Sequence, residues 1–144
     1  MIESLFVNYA LQFVGQPYRF GSNGPLSWDC SGLALELIRA VGKESPPRRD
    51  MTAQELYGWL KKFNKSQITE SWAGKFYFYG TNKEAITHIA VTISPQHLIE
   101  AGGGNATTKT IYDAERLGWA MVRVRHINHR KDLLEVIDPG WIVK

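Results

Sequence analysis

The sequence has a single cysteine, Cys30, in 144 residues. One cysteine cannot form an intramolecular disulfide, so the thiol is either a small buried side chain or a reactive group. No apolar run approaches the roughly 20 residues that are needed to cross a bilayer, and we expect no contact with a membrane. Hydrophobic residues make up 44% of the chain, enough to build a core. We therefore expect one domain spanning residues 1–144.

The chain also lacks a strong excess of charge of one sign. The net charge is +3, and this mild basic bias favours an anionic polymer or surface as a partner. No dense run of Lys and Arg with interleaved aromatic residues is present, so we expect no nucleic acid partner. The N-terminal segment MIESLFVNYALQFVG lacks the basic region of a secretory signal. We therefore expect synthesis in the cytoplasm, with a different delivery route if the protein acts outside the cell.

Helical patterns come first along the chain, and strand patterns follow. Apolar spacing predicts a helix that closes at Gly15, a second from about Cys30 to Val41, and a third that starts after Thr52. Strand signals follow in the segments KFYFYG, THIAVTI, HLIEAG, TKTIY and AMVRVRHI. Helices followed by antiparallel strands are typical of an α+β fold.

The single cysteine stands at the predicted start of the second helix. Asp29 is a favourable N-cap residue and Ser31 suits the first turn. Unpaired N–H groups at a helix N-terminus favour a thiolate, and they can bind the oxyanion that forms when a thiolate attacks a carbonyl. A structural cysteine would more naturally lie in the middle of the apolar stripe, where Leu37 lies. The position of Cys30 therefore favours nucleophilic catalysis.

A nucleophilic cysteine needs a base, and the chain offers His88, His97, His126 and His129. His88 lies near the start of the strand THIAVTI, where a scaffold can present a side chain to a cleft. A hairpin with the next strand, HLIEAG, would bring Glu100 or His97 close to His88. Either side chain could orient the imidazole, and strand alternation alone leaves both assignments open.

Four segments, GQPYRFG, DCSGL, HIAVTI and LIEAGG, together resemble the NlpC family of papain-like cysteine peptidases, which cut peptidoglycan stem peptides. The resemblance extends from the first helix to the last strand. It implies a papain-like α+β fold with N-terminal helices packed on a C-terminal antiparallel sheet. It also implies that Cys30 is the nucleophile, His88 the base and Glu100 the third catalytic residue. That third residue is commonly His in the family, with Asn or Gln as variants, so Glu100 is a departure.

The resemblance further implies a substrate and a pocket. Tyr18 corresponds to a tyrosine near the oxyanion, and Asp29 and Ser31 correspond to neighbours that shape the substrate-binding site. The implied reaction is cleavage after γ-D-glutamate, commonly at its bond to a diamino acid, with no metal and no organic cofactor. The expected partner is a peptidoglycan stem peptide. Delivery to the wall would use phage tail proteins, which we favour, or a secretion apparatus, so we expect a virion component or a delivered effector.

A glycine-rich segment and a basic segment lie in the C-terminal half of the chain. The glycine-rich AGGGNATTK is predicted to form a rim of the cleft. The basic VRVRHINHRK is predicted to form a solvated strand edge, and we expect no catalytic role for His126 and His129.

One alternative function is that of a catalytically silent structural tail protein that keeps the fold. The other is a thiol acyltransferase of the same superfamily, which would need an apolar acyl groove.

Overall fold

The computed structural model describes residues 2–64 and 73–143, in which helices precede most of the strands. None of the helices in these two ranges combines the length and the apolar character that crossing a membrane requires. The elements in chain order are α1 (Ile2–Leu11), α2 (Cys30–Val41), α3 (Ala53–Leu60), a 3-10 turn (Lys61–Phe63), β1 (Phe76–Gly80), β2 (Ile86–Thr92), β3 (His97–Gly102), α4 (Ile111–Leu117), β4 (Met121–His126) and β5 (Leu133–Ile137).

The strands of the described residues form one antiparallel sheet in the order β4-β3-β2-β1-β5. The central strands β3, β2 and β1 are neighbours in sequence as well as in space, whereas β4 and β5 form the two edges. The predicted α+β arrangement is therefore confirmed, with α1, α2 and α3 ahead of the antiparallel sheet and α4 between β3 and β4.

The two faces of the sheet pack against different parts of the molecule. Ile89 and Val91 of β2 belong to the main core, together with buried side chains of the helices. Ala90, between them, points to the other face and joins a smaller cluster with Tyr79 and Leu98. Each large apolar side chain buried in this way stabilises the fold by about 1.5–3 kcal/mol. His88 shares the face of Ala90, as strand alternation predicts.

Helix α2 begins and packs as its sequence predicts. The side chain of Asp29 accepts the N–H of Gly32 at 2.7 Å, which makes Asp29 the N-cap. Leu37 and Ile38 are fully buried, so the apolar stripe faces the core. The N-terminus of the helix, with Cys30 as its first residue, is left at the edge of this core.

The structure differs from the sequence prediction in two of the segments after β3. The segment TKTIY is not a strand, because the Oγ1 atom of Thr110 accepts the N–H of Asp113 and the Asp113 carboxylate accepts the N–H of Thr110. This reciprocal capping box starts α4 and overrides the strand preference of the β-branched residues. Strand β5 was not predicted. It is a half-exposed edge strand without regular alternation, and its pairing with β1 defines it.

Candidate active site

A cleft of about 670 Å³ separates the start of α2 from the end of the sheet where β2 begins and β3 ends. Cys30 and Ser31 line it on the helix side, and His88 and Glu100 line it on the sheet side. The sequence-predicted residues therefore converge on one cavity. The remaining residues of the lining are Tyr18, Phe20, Gly21, Asp29, Asp50, Met51, Thr52, Ala53, Ile86, Thr87, Gly102, Gly103, Gly104, Asn105, Ala106, Arg123 and Arg130.

The helix side of the cleft is organised by Asp29. Its Oδ2 atom accepts the N–H of Gly21 at 2.9 Å, and its Oδ1 atom accepts the N–H of Gly32 and the hydroxyl of Ser31. Burial raises the pKa of this carboxyl against the effect of these hydrogen bonds. The loop that precedes α2 approaches closely enough that a Cβ atom on Gly32 would lie 2.2 Å from the carbonyl oxygen of Ser22. Asp29 thus ties the loop to the helix and fixes where Cys30 lies.

Cys30 is half-buried at the N-terminus of α2, and its Sγ atom lies 3.9 Å from the carbonyl oxygen of Thr87. Thr87 is the residue before His88 in β2, so the thiol faces the start of that strand. The first backbone N–H groups of a helix have no intrahelical acceptor, and Cys30 is the first residue of α2. The arrangement places a nucleophile beside donors that can bind an oxyanion.

His88 is buried on the sheet side, and its Nε2 atom lies 2.8 Å from Oε1 of Glu100. This contact leaves Nδ1 as the ring nitrogen that is available to Cys30. Burial lowers the pKa of His88, but the interactions with Cys30 and Glu100 outweigh it and raise the pKa to about 9. Below that pH the imidazolium is the favoured form, which suits a ring that must give a proton to a leaving group.

Glu100 is the most enclosed charged group of the site, with 1% of its surface exposed. Its Oε1 atom contacts His88 and, at 3.1 Å, Nε2 of His129. Its Oε2 atom accepts from Nε and from an Nη atom of Arg123, at 2.9 and 2.8 Å. Burial raises the pKa of Glu100, but His88 and then Arg123 outweigh it and lower the pKa to about 2. The carboxylate is therefore ionised at neutral pH.

Tyr18 and the glycine-rich segment close a third side of the cleft. Burial, and then the nearby Cys30 and Asp29, raise the pKa of Tyr18, which keeps the phenol protonated and able to donate. A Cβ atom on Gly104 would lie 2.3 Å from the Tyr18 ring, so only glycine allows this close approach. Residues 102–106 line the cleft, as the prediction of a cleft rim requires.

The structure separates the two candidates for the third position. Glu100 reaches His88, whereas His97 is exposed at the start of β3 and its Nδ1 atom lies 3.1 Å from the hydroxyl of Ser94. His97 faces the edge strand, with its ring 6.1 Å from that of His126. The ring that Glu100 can orient is therefore His88, and His97 takes no part in this contact.

Sequence reasoning missed two residues of the site, Arg123 and His129. The basic segment does form an edge strand, as predicted, but the expectation that it is only solvated is wrong for Arg123, whose side chain turns inward to Glu100. The ring of His129 contacts the same carboxylate, and the expectation that His129 has no catalytic role stays a prediction. The signal in the sequence was a buried acid on a central strand, which requires a cation on a neighbouring strand.

The described part of the chain contains no group of three or more His, Cys, Asp or Glu residues in an arrangement that could hold a metal ion. Although His88, His129 and Glu100 are close together, both histidines direct a nitrogen to the same carboxylate oxygen. The cluster is therefore a hydrogen-bond network around Glu100.

Comparison with known proteins agrees with this geometry. The sequence profile of the NlpC/P60 family matches residues 15–125, which is more than half of the chain and includes Cys30, His88 and Glu100. The chain belongs to the NlpC/P60 family. The resemblance inferred from the sequence is thereby confirmed.

Individual relatives share the sequence or the fold. The chain is 37% identical over 87 residues to the bifunctional muramidase/DL-endopeptidase CwlT of Bacillus subtilis, a match that covers 58% of this chain and 24% of CwlT. The match thus spans about a quarter of that curated relative. The NlpC/p60 domain of the peptidoglycan hydrolase SagA superposes with a TM-score of 0.63 at 19% identity, covering 94% of this chain and 97% of that one.

A third protein of similar structure is described as non-catalytic. RipD from Mycobacterium tuberculosis, described as a non-catalytic NlpC/p60 domain protein adapted to peptidoglycan binding, superposes with a TM-score of 0.60. It is 18% identical, and the match covers 96% of this chain and 97% of RipD. These likenesses support the papain-like α+β fold of the family. Activity has to be argued from the side chains.

Proposed function

We propose that the protein is a cysteine peptidase that hydrolyses peptidoglycan stem peptides. The observation that carries the proposal is the convergence of Cys30 and a His88–Glu100 pair on one cleft. CwlT and SagA, whose names describe a DL-endopeptidase and a peptidoglycan hydrolase, support the choice of substrate. The mild positive charge of the chain suits an anionic wall polymer.

The proposed reaction has two steps. The thiolate of Cys30 attacks the amide carbonyl, and the N–H groups at the start of α2 bind the oxyanion. The imidazolium of His88 then gives its proton to the leaving amine, which leaves an acyl-enzyme. Water, deprotonated by the neutral ring, then attacks the acyl-enzyme, which releases the acid and restores the thiolate–imidazolium pair of Cys30 and His88. Glu100 holds the ring through Nε2 in both steps.

The specific bond that we propose is the one between γ-D-glutamate and the diamino acid. Tyr18, Asp29 and Ser31, which line the cleft beside Cys30, are the proposed substrate-binding residues. The lining contains several charged and hydroxyl side chains, which suit a polar peptide better than the acyl chain of an acyltransferase substrate. Delivery by a phage tail or a secretion apparatus remains a prediction from the sequence, and copurification with tail proteins would test it.

The test is digestion of purified peptidoglycan, with mass spectrometry of the released fragments. We expect fragments that carry a new amino terminus on the diamino acid, and none with the Cys30→Ala variant. Synthetic stem peptides that differ only in the residue after γ-D-glutamate would locate the bond. If the wild-type protein sediments with peptidoglycan and releases no fragments, the protein is a binding domain of the kind that RipD represents.

A further inference from the structure

Glu100 presents a physical problem because its buried side chain carries a charge. A carboxylate with 1% of its surface exposed has lost nearly all of its hydration. Such a charge is tolerated only when other groups in the protein replace water. His88 alone is a poor solution, because its ring changes protonation state during the proposed reaction. Glu100 therefore needs a second partner whose charge does not change during the reaction.

Arg123 meets this need through the register of the sheet. Glu100 of β3 and Arg123 of β4 lie directly opposite each other in the antiparallel pair. The arginine binds Oε2 with two nitrogens, at 2.9 and 2.8 Å, which leaves Oε1 facing His88. A guanidinium group keeps its charge over the whole pH range in which carboxyl and imidazole groups titrate. The two oxygens of Glu100 thus have separate partners.

Other charged or titratable groups also face this carboxylate. His129 contacts Oε1, and Arg130 and Tyr79 lie close enough to interact with it through space. Arg130, however, is bound to Asp132 through two nitrogens, at 2.8 and 2.7 Å. His129 changes charge with pH. Arg123 both contacts Glu100 directly and keeps its charge when the pH changes.

We propose that Arg123 is a positioning residue of the active site: it binds Oε2 of Glu100 and thereby fixes Oε1 against the ring of His88. This inference rests on the proposed function, since it adds a residue to the proposed catalytic site. Arg123 acts through Glu100 and His88, so its effect on Cys30 should vanish when Glu100 carries no charge. The lowered pKa of Glu100 is consistent with this role.

The experiment measures alkylation of Cys30 by iodoacetamide, a reaction that needs no peptidoglycan. The single cysteine of the chain makes the signal specific. Four proteins form a cycle: wild type, Arg123→Met, Glu100→Gln and the double variant. Each is measured between about pH 4.5 and pH 7.5. Arg125→Met removes the same charge from the same strand and is the matched control.

We expect Arg123→Met to slow alkylation at about pH 4.5, relative to the rate at neutral pH, by roughly fivefold or more. The reason is that losing a cationic partner raises the pKa of a carboxyl by about one to three units, which brings protonation of Glu100 into the acid range. In the Glu100→Gln background, Arg123→Met should alter the ratio of the alkylation rate at about pH 4.5 to the rate at neutral pH by less than about twofold. Arg123→Lys should fall between wild type and Arg123→Met, because it keeps the charge but offers one nitrogen.

A similar effect of Arg123→Met in both backgrounds, or no effect in either, would overturn the inference. If Arg123→Met does not fold, Arg123→Gln takes its place and must show the same contrast between backgrounds. Peptidoglycan digestion by wild type is measured in parallel. Alkylation that follows the expected cycle, in a protein that releases no fragments, would reject the proposed function and leave the role of Arg123 intact.

Discussion

The two sides of the cleft are built in different ways. On the helix side, Asp29, Cys30 and Gly32 are neighbours in sequence, and one capping interaction arranges them. On the sheet side, His88, Glu100 and Arg123 come from three different strands and meet only because of strand register. Local interactions therefore decide where the proposed nucleophile lies, whereas long-range pairing decides how its proposed base is oriented.

The largest effect is expected on the helix side. Cys30→Ala should abolish peptidoglycan hydrolysis, because no other thiol exists in the chain. The half-buried position at the cleft means that the smaller side chain leaves little cavity, so the variant should keep the thermal unfolding midpoint of the wild type. Fragment release by mass spectrometry and thermal unfolding by circular dichroism measure the two quantities. Hydrolysis by the variant would show that Cys30 is structural.

The next effect is expected at the base on the sheet side. His88→Ala should lower kcat/KM by at least about 10²-fold, the lower range for the loss of a positioned general acid or base. His126→Ala is the control, since its exposed ring accepts the N–H of Asn128 and lies beside the ring of His97. A loss with His126→Ala that matches the loss with His88→Ala would contradict the assignment of the base.

A smaller and graded effect is expected at Glu100. Glu100→Gln keeps an acceptor for the His88 ring, so kcat/KM should stay within about tenfold of wild type. Glu100→Ala removes the acceptor and leaves Arg123 without its buried partner, so it should lose more activity and also stability. The measurements are kcat/KM on one stem-peptide substrate and the midpoint of urea unfolding.

His97→Ala is the matched control for Glu100, because His97 lies on the same strand with its ring bound to Ser94. Its kcat/KM should equal that of wild type. The opposite pattern, a crippled His97→Ala with both Glu100 variants near wild type, would assign the third position to His97.

The sequence was sufficient to predict the helix side in detail. The N-cap at Asp29 and the buried stripe of α2 follow from short-range rules, and both are present. The capping box of α4 is also a local signal, since it consists of Thr110 and Asp113, but the β-branched residues around it favour a strand, and a strand was predicted. The wrong prediction therefore came from two local signals that favour different structures.

The sheet side could be predicted only in part. The spacing between His88 and Glu100 suggested a hairpin, but alternation did not show which side chain faced the ring. The contact with Arg123 depends on the β3–β4 register, which pairs residues 23 positions apart. The contact with His129 depends on a turn after β4. Neither can be obtained from a pattern confined to one segment.

The smallest effect is expected at His129, and it should depend on pH. Its Nδ1 atom lies 3.0 Å from the carbonyl oxygen of His126, and its Nε2 atom lies 3.1 Å from Glu100. Both partners are acceptors, so only the doubly protonated ring can donate to both. Burial lowers the pKa of His129, against the opposing effect of Glu100. At neutral pH the ring is therefore uncharged and satisfies one acceptor at most.

His129→Gln should accordingly change kcat/KM by less than about twofold at pH 7.5, where the native ring contributes little to Glu100. In the acid range, where the ring becomes protonated and can donate to Glu100, the substitution should cost about threefold, the size of one modest hydrogen bond. His126→Gln serves as the control at both pH values. An equal loss of kcat/KM with His129→Gln at both pH values would mean that His129 acts only in packing the turn. No loss at either would mean that, of the two partners that sequence reasoning missed, Arg123 alone supports Glu100.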